Sequence, residues 1–189
     1  MIYYAIDTPI RTKVAFALAI VAGVSAHMLN TILPSDFSAP SAIGLFGLYY
    51  FVFDKYAWRI FLLNKLLGIP DLSGEWVGTI ERTDLKSGCK ENDLPVRVTI
   101  NQTWSQLDVV LENQVGDSIS GRTLSFTRVA ALLVENKKAV MLKYIWEYDK
   151  GKGYSEMLYT VRNRTHTLSG HYLSNMAREG YVTITRKAM

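Results

Sequence analysis

The sequence predicts a membrane-anchored all-β protein, in which a two-helix transmembrane hairpin precedes a small eight-stranded antiparallel β-barrel. Two apolar stretches near the amino terminus predict the hairpin, and a series of short alternating segments after Pro70 predicts the barrel. The mean hydropathy of +0.07 is high for a protein without membrane segments. We therefore divide the chain into a transmembrane region, 1–69, and a β-barrel domain, 70–189.

The first apolar stretch, residues 14–33, contains no charged residue. At ~1.5 Å per residue, a helix of this length spans the ~30 Å hydrocarbon layer of a bilayer. A secretory signal peptide is the alternative interpretation, because Arg11 and Lys13 precede the stretch. A second apolar stretch follows after a short turn, and this favours a hairpin.

The second apolar stretch predicts a transmembrane helix over approximately residues 40–63. Its charged residues, Asp54, Lys55 and Arg59, are concentrated towards one end. Lysine and arginine side chains in such positions reach the membrane surface with their charged heads.

The charges beside the two stretches predict the topology. Arg11 and Lys13 precede the first helix and Lys55 follows the core of the second, whereas the turn between the helices carries only Asp36. The positive-inside rule therefore places both termini and the β-barrel in the cytoplasm. A single cysteine, Cys89, agrees with a reducing compartment, because no disulfide can form within the chain.

Eight segments after Pro70 alternate as strands do and are separated by turn-forming residues. No helix-length amphipathic pattern remains in this part, which favours an antiparallel barrel or sandwich, and closure removes exposed strand edges. The segments are Ser73–Arg82, Pro95–Thr103, Gln106–Asn113, Ser118–Ala131, Lys138–Tyr148, Ser155–Arg162, Thr167–Ser174 and Gly180–Arg186.

Gln102 shares one face of its strand with the apolar residues Ile100 and Trp104. A primary amide on an inward face needs hydrogen-bond partners, because an unpaired buried amide costs several kcal/mol, on the order of its desolvation energy. Two interpretations compete, and we predict the second. The amide pairs with neighbouring backbone, or it lines a pocket that holds a polar ligand.

Other polar and aromatic side chains alternate onto inward faces near one end of the predicted barrel. Apolar depth beneath a polar and aromatic layer is typical of a binding pocket. The alternative is ordinary packing, with serines at bulges and arginines at the rim. The candidates are Ser118, Ser120, Arg122, Tyr144, Trp146 and Tyr172, together with Gln102 and Trp104. We expect Trp104 and either Tyr144 or Trp146 to stack on ligand rings.

The motifs of catalysis and metal binding are missing from the sequence. Its three histidines form no metal-ligand pattern with Cys89 or with carboxylates, and no nucleophile elbow, phosphate loop or dinucleotide fingerprint occurs. We predict that the protein is not an enzyme and needs no cofactor. No basic stripe suggests a nucleic-acid polymer as partner, although a small dianion needs only one or two arginines and a few hydroxyls.

The order of these features resembles a known family. Two membrane helices are followed by "PDLSGEWVGTI", by "VTINQTWSQLDVVL" with a Ser-x-Ser pair at Ser118 and Ser120, by "LKYIWEY" and by "LSGHYLSNMAREGYVTITR". This order is similar over the whole chain to the two-transmembrane, β-strand-rich effectors of CBASS antiphage systems.

The resemblance implies a function. In that family a cytoplasmic β-barrel binds a cyclic dinucleotide made by a cGAS-like nucleotidyltransferase, and binding drives assembly of the membrane helices. The homo-oligomer then disrupts the bacterial inner membrane and causes abortive infection. The resemblance adds Asn175 and Arg178 to the expected ligand contacts and makes membrane lipids an expected partner. The chain departs from the family pattern at Trp146 and at Met176, which stands where an arginine is usual.

Two other hypotheses come from different classes of protein. In one, the barrel is a membrane-tethered carrier of a lipid or apolar metabolite. In the other, the chain is a structural anchor for a membrane complex. Polar residues on the inward faces favour the cyclic-dinucleotide effector over the carrier. Hydroxyls, amides and arginines match a base edge and a phosphodiester better than they match an acyl chain.

Overall fold

A computed structural model describes residues 2–6, 9–34, 40–114, 122–135, 139–148 and 151–186. These residues form two compact units. Residues 9–67 make up a helical unit, and residues 2–6 join the chain from residue 68 onward in a β unit. The β unit is therefore built from two separate parts of the sequence.

The helical unit contains two main helices that pack on each other. Helix α1 spans Ile10–Ile32 and α2 spans Ala42–Lys55, with Ser41 Oγ accepting a hydrogen bond from Gly44 N at the start of α2. A 3-10 turn at Ala57–Arg59 and a short helix, α3, at Phe61–Leu67 complete the unit. Packing between α1 and α2 involves Ala22, Ala26, Leu29, Leu45, Phe46 and Tyr49.

Both main helices leave large apolar side chains exposed. Phe16 on α1 is 69% exposed and Ile43 on α2 is 84% exposed. Such exposure is unfavourable in water and is expected where lipid replaces water. Among the described residues, α1 is the one helix long and apolar enough to cross a membrane, by length and composition only.

The prediction of a second membrane-length helix over 40–63 was wrong. Helix α2 ends at Lys55, and Tyr56 leaves the helical region with φ of −130°. At ~1.5 Å per residue, the 14 residues of α2 rise only ~21 Å. The apolar composition predicted the helical content, but the charged residues Asp54 and Lys55 mark the place where the regular helix stops.

The described residues of the β unit form nine strands. These are β1 (Ile2–Ile6), β2 (Gly74–Asp84), β3 (Lys90–Gln102), β4 (Gln106–Gln114), β5 (Arg122–Glu135), β6 (Ala139–Tyr148), β7 (Gly151–Arg162), β8 (Thr165–Ser174) and β9 (Arg178–Arg186).

The nine strands close into a ring, which we call the strand ring. Its order is β1-β4-β3-β2-β9-β8-β7-β6-β5, and β4 also pairs directly with β5. Every pairing among β2 to β9 is antiparallel, whereas β1 pairs antiparallel with β4 and parallel with β5. Each of the eight predicted strands corresponds to one of β2 to β9, although the bounds differ, and residues 118–121 of the fourth predicted strand lie outside the described residues. The predicted count was one too low, because residues before α1 contribute a further strand, β1.

The strand ring has two ends that differ in connectivity. Strand β1 runs parallel to β5 towards the end where β2 begins, so the chain leaves for the helices and returns from them at the same end. We call this the lower end; it includes the turns at 103–105 and 163–164. The upper end includes the turns at 85–89 and 175–177.

The middle of the strand ring is a packed apolar core. Ile100, Leu142, Met157, Leu168 and Ile184 are fully buried there and come from five different strands. Gly78 also lies on the inward phase of β2, between Trp76 and Ile80. A Cβ at Gly78 would lie 1.9 Å from the carbonyl oxygen of Thr183 on β9. Glycine allows the two backbones to approach closely.

Candidate ligand-binding site

The upper end of the strand ring carries a layer of polar and aromatic side chains above the apolar core. Tyr144, Ser155, Tyr172 and Arg82 lie in one continuous register across β6, β7, β8, β9 and β2, with Gly180 on β9. Alternation along each strand places these residues on the inward phase of the layer below. The sequence predicted inward faces for Tyr144 and Tyr172, and both lie on the inward phase of this layer.

Ser155 connects the two aromatic residues of β6. Trp146 Nε1 donates a hydrogen bond to Ser155 Oγ at 2.9 Å, and the hydroxyl of Tyr144 is also hydrogen-bonded to Ser155. Burial raises the pKa of Tyr144 to about 12, with the Ser155 hydrogen bond acting in the opposite direction. Tyr144 is therefore a neutral phenol at physiological pH, which acts as a hydrogen-bonding group rather than as a charge.

The Trp146 side chain is half-buried and packs on the backbone of β7. A Cβ at Gly153 would lie 2.3 Å from Cζ2 of Trp146, so glycine at this position lets the indole lie directly against the strand. A half-buried indole that is held in place by a hydrogen bond and by close packing is a preorganised surface for stacking.

Two arginines at the upper end share one glutamate. Arg82 Nη1 lies 3.3 Å from Glu91 Oε2, and Arg178 Nε lies 3.3 Å from Glu91 Oε1. Arg82 also donates to the carbonyl of Asn92. These side chains are partly exposed, so the ion pairs add little stability, but they fix two guanidinium groups beside each other.

Asn175 has a turn-stabilising role at the upper end. Its Oδ1 accepts a hydrogen bond from Lys152 N, and its own backbone N donates to Lys152 O, both at 3.0 Å. The residue is exposed and joins the β8–β9 turn to the start of β7.

Gln102 and Trp104 lie at the lower end, away from the other candidates. Gln102 is 1% exposed, and its Oε1 accepts a hydrogen bond from Leu72 N at 2.8 Å. Its Nε2 donates to the hydroxyl of Tyr4 and to the carbonyl of Pro70, both at 3.4 Å. The amide therefore has protein partners, as the structural interpretation requires. These partners lie in β1 and in the segment leading to β2, the two places where the chain connects with the helical unit.

Three sequence candidates remain, namely Ser118, Ser120 and Arg122. Ser118 and Ser120 fall outside the described residues. Arg122 begins β5 opposite Gln114, at the upper end, but its side chain is not among those described. The sequence candidates thus divide into an upper group, with Tyr144, Trp146, Tyr172, Asn175 and Arg178, and a lower pair, Gln102 and Trp104.

Sequence reasoning missed Ser155 and Glu91 as members of the upper layer. Ser155 carried a signal, because it alternates with Met157 and Tyr159 on an inward face. Glu91 carried none, because the predicted strand began at Pro95, whereas β3 begins at Lys90. Polar residues extend this strand beyond its apolar pattern.

A concave surface lies on the outside of the strand ring. This groove has a volume of about 920 Å³ and is lined in part by Tyr154, His171 and Tyr181. Its lining includes Glu81, Glu156 and Glu179, with Lys90 as the lysine. This excess of carboxylates disfavours an anion, so the upper layer is the better candidate for an anionic ligand.

Fold and site together define a class of protein, in which an all-β ring with a polar, arginine-bearing layer is joined to an exposed apolar helical unit. The chain is 28% identical over 177 residues to CD-NTase-associated protein 15 from Yersinia aleksiciae, a match that spans 92% of this chain and 73% of that relative. This similarity confirms the resemblance found from the sequence motifs. No family model matches the chain.

Proposed function

We propose that this protein is a CBASS effector that binds a cyclic dinucleotide at the upper end of the strand ring and then disrupts the bacterial inner membrane. The observation that carries the proposal is the upper layer itself, with two guanidinium groups beside hydroxyls and a preorganised indole. Similarity to a CD-NTase-associated protein supports the signalling context. No step of the proposed function requires catalysis.

The contacts of the upper layer match the parts of a cyclic dinucleotide. Arg82 and Arg178 are suited to phosphodiester oxygens, because guanidinium groups form charge-assisted hydrogen bonds to phosphate. In the structure, Glu91 forms an ion pair with both arginines. A phosphodiester would replace Glu91 as their partner, while Trp146 would stack on a base.

The carrier hypothesis fits this layer less well. An acyl chain would leave the arginines and Ser155 without the polar partners that a nucleotide offers, and burying such groups unpaired costs on the order of 1–3 kcal/mol each. The apolar core below the layer is filled by fully buried side chains such as Leu142 and Met157.

The positions of β1 and β2 before and after the helical unit support a topology in which this unit enters and leaves the membrane on one side. β1 and β2 belong to the same strand ring, so the segment between them begins and ends on the same side of any membrane. Such a segment crosses an even number of times. We propose that α1 crosses once and that α2, with the residues up to α3, makes the return, leaving both termini and the strand ring in the cytoplasm.

The shortness of α2 suggests how the bilayer is disturbed. A helix that rises ~21 Å is shorter than the ~30 Å hydrocarbon layer, and a short span thins the bilayer around it. A single copy produces a small local effect, whereas a ligand-driven homo-oligomer concentrates the thinning in one patch of membrane.

Binding is tested with the full-length protein in detergent and a panel of c-di-AMP, c-di-GMP and cGAMP, measured by calorimetry. Arg82→Ala and Arg178→Ala should each weaken the best ligand by ~tenfold or more, as the loss of a charge-assisted contact implies. Arg97→Ala on β3 is the matched control, because Arg97 is exposed and on the outward phase. Equal effects of all three variants, or binding of fatty acids in place of every cyclic dinucleotide, would contradict the proposal.

Membrane disruption is tested separately by dye release from anionic vesicles that contain the full-length protein. The best ligand should cause release from vesicles with the wild-type protein and much less from vesicles with Arg82→Ala. Ligand binding without dye release would refute the effector role while leaving the binding site intact.

A further inference from the structure

Strand β1 occupies a slot between the lower halves of β4 and β5. The upper halves of these strands pair directly, from Val110 with Phe126 to Gln114 with Arg122. Below this region the two strands separate and β1 lies between them. β4 and β5 therefore close the ring at its upper end without β1, which fills only the opening below.

Thr127 holds the fork where β4 and β5 separate. Its buried Oγ1 accepts a hydrogen bond from Val109 N at 2.9 Å and donates to Val109 O at 2.8 Å, so a side chain replaces the backbone ladder there. The β5–β6 register also shifts between Thr127 and Val129. The fork is thus stabilised by groups outside β1, and the slot is a built feature of the ring.

The slot has a specific place for one side chain of β1. Tyr4 is 1% exposed and lies in register with Ala130, which is 2% exposed. The Tyr4 hydroxyl accepts a hydrogen bond from Gln102 Nε2 and is 3.5 Å from the Thr103 carbonyl, to which it donates. Backbone pairing combined with one buried side chain is the pattern of strand addition to a sheet edge.

β1 is held to the slot by few backbone pairs. It pairs with β4 through Ile2 and Tyr3 and with β5 through Tyr4, Ala5 and Ile6. The helical unit then separates it in sequence from the rest of the ring. When a short strand leaves, the edges of β4 and β5 become exposed, and exposed edges are templates for another strand.

We propose that in the membrane assembly the slot of one chain accepts β1 of a second copy. This inference rests on the proposed assembly. Exchange preserves every contact of Tyr4, since the incoming strand is identical to the one displaced. Confinement to one membrane raises the effective concentration of neighbouring copies, which favours the exchange. Head-to-tail exchange links successive copies into a larger assembly.

Disulfide trapping between differently tagged chains tests the exchange. In a Cys89→Ser background, one full-length chain carries Tyr3→Cys and the other carries Gln106→Cys. The two positions are register partners of β1 and β4, and Tyr3 is 76% exposed, so substitution there removes no buried contact. After co-expression, oxidation of membranes and mild solubilisation, oligomers are separated from monomers by size.

The oligomer fraction should contain disulfides between the two tags, and the monomer fraction should contain none. Random exchange between equal pools places about half of the β1 strands in slots of the other chain. The control pair carries Arg162→Cys and Thr165→Cys, which are exposed register partners at the lower end that belong to one hairpin. Disulfides between the two tags at this control pair measure random collision between chains.

Oligomers in which the Tyr3–Gln106 pair forms no more disulfides than the control pair would overturn the inference, and so would a complete lack of oligomers. Assembly by an oxidised chain whose own β1 is locked in its slot would overturn it as well. The locked chain carries both Tyr3→Cys and Gln106→Cys and should remain monomeric when oxidised and recover assembly on reduction. Dye release by the reduced chain reports on the proposed function independently, so a functional protein without exchange is distinguishable from a protein without function.

Discussion

Gln102→Leu should destabilise the β unit, because Gln102 is the hydrogen-bond partner of the buried backbone before β2. The substitution removes the acceptor of Leu72 N, a buried donor 2.8 Å away, and leaves this N–H unpaired at a cost of about 1–3 kcal/mol. The two 3.4 Å contacts to Tyr4 and Pro70 are long, so each adds less than an ordinary hydrogen bond of about 1 kcal/mol.

These contributions predict a loss of about 2–3 kcal/mol in the free energy of unfolding. For a protein of this size, that loss lowers Tm by about 4–12 °C. Thermal unfolding of the full-length protein in detergent, followed by tryptophan fluorescence, measures the change. Trp76 and Trp104 are both buried and report on the loss of the ring interior. Ligand affinity at the upper end should change little at temperatures where the variant is folded.

Asn101→Leu is the matched control for this experiment. Asn101 precedes Gln102 on the same strand and is exposed, so the same change from amide to leucine leaves no buried donor unpaired. If both variants unfold at the same temperature while Gln102→Leu alone loses ligand binding, the structural account of Gln102 is wrong.

Three further predictions concern the upper layer and the core. Ser155→Ala should lower the free energy of unfolding by about 1–3 kcal/mol and weaken ligand binding, because Trp146 Nε1 and the Tyr144 hydroxyl lose their partner. The free energy of unfolding should fall by about 3 kcal/mol as the pH rises from 10 to 12, because Tyr144 ionises near pH 10 in the unfolded state and only near pH 12 in the folded state. Tyr144→Phe should reduce this loss. Gly78→Ala should cost ~3 kcal/mol or more, because its Cβ would overlap the Thr183 carbonyl.

Each of these variants has a control within the chain. Ser169→Ala removes a hydroxyl from the outward phase of β8 and should change neither stability nor binding. Wild-type protein unfolded in urea at pH 9, 10, 11 and 12 gives the pH profile against which Tyr144→Phe is compared. Gly47→Ala adds a Cβ with no atom within 4 Å and lies in α2, where alanine is favoured. A Gly78→Ala variant as stable as Gly47→Ala would refute the close-approach argument.

Local pattern was sufficient for much of the fold. Alternation with a period of two placed Val140, Leu142 and Tyr144 on one inward face, and burial confirms this. The uncharged stretch at 14–33 likewise predicted the position of α1, although the helix begins earlier, at Ile10. These features depend on neighbours within one strand or one helix, so the sequence alone determined them.

Pairing between distant segments was decided only by the tertiary structure. "IYYAI" at the amino terminus is five residues long, and nothing within it indicates that its partners are β4 and β5, about one hundred residues away. The same limit applies to Gln102. Its inward phase followed from alternation, but its partners in β1 and in the segment before β2 depend on how the ring closes. A strand pattern fixes which face a side chain occupies, whereas register and closure follow from the packing of the whole ring.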